Sequence, residues 1–210
     1  DDLDFSRDDK RCGLGPLCNF KLIDHVTIDI KDGGCLQCTD AEIDYETLIA
    51  NFSGKDAEGV SYTDTYSHRE NEEVSIKAKS KYMGINFVKA LNTHIIENIT
   101  AREDVVLQYG ETYTAFADEA LFQRKQKNTD NKINRGFNGE VILRPWGRDG
   151  VCQVLHCAGD TIDAGQITFD GRCDTLFCEN ARGRMTSWGK GNGSAAIIFE
   201  SGFIQWKEKS

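Results

Sequence analysis

Proline is almost missing from this chain, with two among 210 residues. Long stretches are therefore free to donate every backbone N–H to a sheet ladder. No apolar run approaches the roughly 20 residues that a membrane-crossing helix needs. Positive charge is also in short supply, since 25 Lys and Arg face 34 Asp and Glu, for a net charge of -9 and a pI near 5.0. That field repels phosphate backbones and anionic lipid surfaces, so neither nucleic acid nor a membrane is expected as a partner.

Catalytic signatures are missing as well. The chain has no Gly-x-x-x-x-Gly-Lys-Ser/Thr loop, no Gly-x-Gly-x-x-Gly after a strand, no His-Glu-x-x-His and no calcium-binding loop. A serine-hydrolase elbow needs Gly-x-Ser-x-Gly, and neither Gly59-Val60-Ser61 nor Gly193-Ser194 continues that way. Glycosidase chemistry needs two carboxylates at a set separation. The adjacent pairs Glu103-Asp104 and Asp118-Glu119 read instead as solvated strand or linker ends. The expectation is a protein that is not an enzyme and carries no cofactor and no metal.

What the chain does have is cysteine. Eight occur as close pairs, Cys12/Cys18, Cys35/Cys38, Cys152/Cys157 and Cys173/Cys178, with none between Cys38 and Cys152. An even, clustered set predicts four disulfides in an oxidising compartment, with partners inside each cluster. A zinc site needs four ligands, and Cys35-Leu36-Gln37-Cys38 supplies two at the familiar spacing. His25 and His156 read as ordinary packed or surface residues. Sequons at Asn51-Phe52-Ser53, Asn98-Ile99-Thr100 and Asn192-Gly193-Ser194 fit passage through a glycosylating secretory path. The acidic start, residues 1–11, reads as a pro-segment-like tail whose signal peptide has been removed, and Lys10-Arg11 is a dibasic pair of the kind processing proteases cut.

The clusters divide the chain into two expected domains, 12–103 and 104–210. Thr39-Asp40-Ala41-Glu42 has the pattern of a capping box, and Ala41, Tyr45, Leu48 and Phe52 follow at helical spacing, which predicts a helix ending before Gly54. Alternation over Val74–Lys79 predicts strands, with Lys77, Lys79 and Lys81 on one solvated face. Residues 84–100 carry both periodicities and are read as strands. Beyond Asp104 short runs are bounded by turn signals, including Gly110, Gly159-Asp160, Asp170-Gly171 and Ser201-Gly202. Ala195–Phe199 and Phe203–Trp206 read as a hairpin around Glu200-Ser201-Gly202. The fold expected is α+β: a disulfide-stapled helix-plus-antiparallel-sheet domain, then an all-β sandwich or barrel. Candidate binding residues are Trp146 and Trp188, as platforms for a sugar ring or a protein hot spot, and the basic loop with Arg124, Lys125 and Lys127. Trp206 reads as a core residue.

The acidic start ending in Lys10-Arg11, Cys12-(x5)-Cys18, Cys35-(x2)-Cys38, one helix and a terminal all-β region together resemble the dual-domain effectors that vascular-wilt fungi secrete into xylem. The resemblance implies a cystatin-like first domain and a β-sandwich second domain. It implies a virulence factor in the host apoplast, xylem or host cell, acting by binding a host protein, and in some members detected as an avirulence protein by an immune receptor; the chain is expected to be a monomer. The alternative from the same residues is a secreted carbohydrate-binding or cell-wall-active protein. A protease inhibitor built on the helix-and-sheet half is a third class.

Overall fold

Apolar residues recur along the folded chain at the two-residue period of strands. The computed structural model describes residues 19–30, 34–55, 58–69, 72–90, 93–124, 139–145, 150–157, 159–171, 175–186 and 196–207. Its elements are β1 (Asn19–Ile30), β2 (Gly34–Asp44), β3 (Ile49–Ser53), β4 (Val60–Arg69), β5 (Glu72–Ser80), β6 (Tyr82–Ala90) and β7 (Thr93–Tyr109). They continue with β8 (Tyr113–Arg124), β9 (Gly139–Arg144), β10 (Cys152–His156), β11 (Thr161–Ala164), β12 (Gln166–Asp170), β13 (Thr175–Thr186) and β14 (Ala196–Lys207). All 14 belong to one sheet, and there is no helix among the described residues.

The α+β expectation is therefore corrected to all-β. The segment predicted as a helix is the end of β2, a turn at 45–48, and β3. Its helical spacing coincides with a strand pattern in which Ala41, Ala50 and Phe52 are buried. The capping chemistry is real but belongs to the turn: Asp44 Oδ1 accepts the N–H of Glu46 at 2.8 Å and of Thr47 at 3.1 Å. Thr39, the supposed cap, instead accepts the Lys55 N–H at 3.2 Å.

Several of these elements are halves of longer strands. On one edge of β2, residues 35–37 pair with β4 and residues 40–44 with β3. Along β7, β6 and then β5 share an edge, and along β8 so do β10 and then β9. The chain is thus an antiparallel meander of ten bent strands: β1, β2, β3/β4, β5/β6, β7, β8, β9/β10, β11/β12, β13 and β14. Around the bends the pairings close six-strand rings, β2-β4-β5-β7-β6-β3 and β8-β10-β11-β13-β12-β9.

The bends lie on one line across the sheet. Asp24 and His25 in β1, at φ 69 and 51, sit opposite Thr39. Gly54 donates to Lys81 O at 3.0 Å, and Lys81 N–H to Glu103 O at 2.9 Å. Glu103 and Asp104, at φ 60 and 54, bulge β7 opposite Asp118. Gly165 donates to Glu179 O at 2.9 Å, and Asn180, at φ 51, stands opposite Gly202. A left-handed residue turns a strand and re-aims its side chains, so the same face stays inward past the bend. The hairpin expected around Glu200-Ser201-Gly202 is corrected for this reason: β14 runs through it as one strand paired to β13.

On either side of that line a row of residues crosses the whole sheet on its inner face. One row is Ile28, Leu36, Tyr62, Ala78, Leu107, Ala115, Val154, Ile162, Gly183 and Phe199. The other is Leu22, Ala41, Phe52, Met83, Ala101, Ala120, Leu143, Ile167, Cys178 and Ile204. The two leaves so defined face each other across the bend. Tyr109, inward at the far end of one leaf, places its ring 5.6 Å from that of Phe169, inward in the other. Residue 103, where the domain boundary was expected, lies inside β7, and β7 pairs with β8 on both sides of it.

Candidate functional site

The outer face of the leaf containing β3 and β6 carries a polar groove of about 530 Å³. Its floor follows from register. Lys21, Glu42, Asn51, Gly84 and Thr100 stand in one cross-strand row, and Asp40, Ser53, Tyr82 and Arg102 in the next. Gly84 makes the hollow, because a Cβ there would meet only Asn51 Oδ1, at 3.5 Å. Tyr82 stands beside it, 49 % exposed.

Of the charges in the groove, Lys55, Asp40 and Arg102 are paired, while Lys21 and Glu42 stand exposed at facing register positions. Lys55 Nζ lies 2.6 Å from Asp40 Oδ2. Arg102 Nε donates to Glu119 Oε2 at 3.2 Å, and Arg144 NH1 stands 3.6 Å from the other Glu119 oxygen. The groups left to meet a ligand are Lys21 and Glu42, the amides of Asn51 and Asn86, the hydroxyls of Ser53 and Thr100, and the Tyr82 ring. The lining holds neither His nor Cys. Such a set can form hydrogen bonds and stack on a ring.

Only part of the residues singled out in the sequence can be placed. Lys10, Arg11, Cys12, Cys18, Lys125, Lys127, Trp146, Cys173 and Trp188 lie outside the described residues. Arg124 is exposed at the end of β8. Trp206 stands opposite Leu176 on β13. Of the sequon asparagines, Asn51 is exposed in the groove and Asn98 pairs with Asn86 beside it, while Asn192 lies outside the described residues. His25 is exposed at the β1 bend, and the His156 ring packs 5.0 Å from Tyr113 with Nδ1 3.8 Å from Asp160. Lys77 and Lys79 are exposed on the outer face, and Lys81 lies 3.0 Å from Asp104. Contact with Asp104 and Glu103 raises the Lys81 pKa.

Cys35, Cys38, Cys152, Cys157 and Cys178 carry free thiols. Cys35 and Cys38 are three apart in one strand, and odd spacing sends their side chains to opposite faces. Burial pushes the thiols up, Cys38 to about 11, Cys152 to about 12 with help from Asp118 and Cys178, and Cys178 to about 11. They stay protonated at neutral pH and behave as small apolar core groups. Cys35, on the outer face, is raised by burial and by its hydrogen bond to Asp29 across the β1–β2 pair.

The groove itself was not singled out in the sequence. Its lining runs from Lys21 to Arg102, and no local motif joins such residues. The one available signal was Gly84 inside an apolar run, which marks a missing side chain on a strand. No protein-family model, no characterised protein and no solved structure matches the chain.

Proposed function

We propose that this chain is a non-catalytic binding protein whose outer-face groove holds a polyhydroxylated ligand of saccharide type. The observation that carries the reading is the Gly84 hollow, walled by Asn51, Asn86 and Thr100 and flanked by the Tyr82 ring. Its volume suits a small ligand, whereas protein partners need broad surfaces. Amides and hydroxyls are the groups that hydrogen-bond sugar hydroxyls, and a half-exposed tyrosine ring is a face on which a sugar ring stacks.

The test is a glycan array followed by calorimetry on the best sugar, with Gly84→Gln beside the parent chain. Gly84 has no left-handed φ and open space above it, so the substitution fills the groove without straining the strand. Binding should fall at least about tenfold, equivalent to about 1.4 kcal/mol. Because Asn51 heads a sequon, the protein is made without N-glycosylation. Array-wide silence, or sugar binding indifferent to Gly84→Gln, overturns the reading.

A second reading is a secreted effector that acts by binding a host protein or immune receptor. Its support is the dibasic Lys10-Arg11, the sequons and the cysteine spacing. Capture of one host protein by the parent chain and by Gly84→Gln alike would favour it.

A further inference from the structure

We propose that the chain binds copies of itself head to tail, the free edge of β14 in one copy pairing with the free edge of β1 in the next. Among the described residues, β1 is hydrogen-bonded only to β2 and β14 only to β13, so each end of the sheet offers a row of unpaired backbone groups. The meander has ten bent strands, an even number, so β1 and β14 run in opposite directions. A following β1 therefore continues the alternation as an antiparallel neighbour.

The register matches as well as the direction. Every row that crosses the sheet begins on β1 and ends on β14, so continuation sets the first residue of a row beside its last. On the inner face this joins Leu22 to Ile204 and Ile28 to Phe199. On the outer face it joins Ile23, 64 % exposed, to Phe203, 55 % exposed. These are two of the chain's exposed large apolar side chains, and they stand at opposite ends of one row, which runs through Asp40, Ser53, Tyr82, Arg102, Glu119 and Glu179. Lys21 meets Gln205 and Thr27 meets Glu200, so neither of these rows opposes like charges. The bend is matched too, because Asp24 and His25 would face Gly202 as they already face Thr39. The contact is heterologous and open-ended, and it departs from the monomer expected from the sequence.

Sedimentation velocity on the full chain tests it, with Ile23→Glu blocking one edge and Phe203→Glu the other. The parent chain should show species that grow with concentration, and each variant alone should stay monomeric. An equimolar mixture should give a dimer of about twice the monomer mass and nothing larger, because each variant keeps one good edge. Circular dichroism and the urea midpoint verify that the variants fold. Should Phe203→Glu fail that check, Ile198→Glu, at a position 83 % exposed, blocks the same strand. A monomeric parent chain at all concentrations, a dimer from either variant alone, or a mixture that stays monomeric overturns the proposal. The second of these would mean symmetric edge pairing instead, and capture of a foreign strand would leave the parent chain monomeric.

Discussion

The two leaves of the sheet are alike inside and unlike outside. Each inner face is spanned by one row of mostly apolar residues, ten positions long. Outside, one leaf carries Lys77 and Lys79 and the Gln153–Asp163 hydrogen bond of 2.8 Å, while the other is notched at Gly84 and lined by charged groups, amides and hydroxyls. The inner rows have one task, excluding water between leaves, and many apolar residues perform it. The outer faces are released from that task, and there a single missing side chain makes a hollow.

The strongest test of inner equivalence is a matched pair of core truncations. Leu36→Ala in one leaf and Ile167→Ala in the other remove side chains that are 0 % and 1 % exposed. Each should lower stability by about 2–5 kcal/mol in urea titration, as a single transition followed alike by fluorescence and circular dichroism. Separate transitions for the two leaves would break the picture of one sheet folded on itself.

Alkaline titration asks whether the thiols belong to that shared interior. Unfolding returns Cys152 and Cys178 to the ordinary value near 9.0 from about 12 and about 11. The unfolded chain then gives up protons that the fold retains, so stability is complete below pH 9 and declines as pH rises toward those folded values. Cys152→Ala with Cys178→Ala should flatten the decline in urea midpoints between about pH 8 and about pH 10.5. An unchanged slope would place its origin elsewhere. Native chain should react with a thiol reagent at exposed Cys157 well before buried Cys38, Cys152 and Cys178.

The bend line predicts a smaller effect of opposite sign. Glu103 holds φ 60, where an L side chain is strained and glycine is not. Glu103→Gly should raise stability by about 1 kcal/mol in urea titration, and a loss would show that its contact with Lys81 outweighs the strain. The smallest change concerns Asp44, whose carboxyl is held below its ordinary value by hydrogen bonds from Thr47 and Glu46. That contribution is present above the ordinary carboxylate pKa and is lost as pH falls through the lowered one. In Asp44→Asn the acid limb of the stability curve should be shallower.

How far the chain could be read shows in particular residues. Alternation in Val74–Lys79 identified a strand, and Gly110 a true turn. Gly202 was misread as a hairpin although it lies within a continuous strand, and Asp104, where a second domain was expected to start, lies within one too. A residue with φ above zero, or a glycine, serves equally a turn that reverses the chain and a bend that lets it continue. Which one forms depends on the neighbouring strands. The helix signal at Thr39–Phe52 failed similarly, since Ala41 and Phe52 suit either period until Met83 and Leu22 flank them.

By itself, then, the sequence determined an acidic chain rich in short alternating apolar runs and poor in proline, because composition and period are local properties. The tertiary structure decided that the runs join into bent strands, that the leaves share one interior, and that Gly84 sits among Asn51, Tyr82 and Thr100. Those are outcomes of register, and register is fixed by burying a whole row at once, which no segment can do alone.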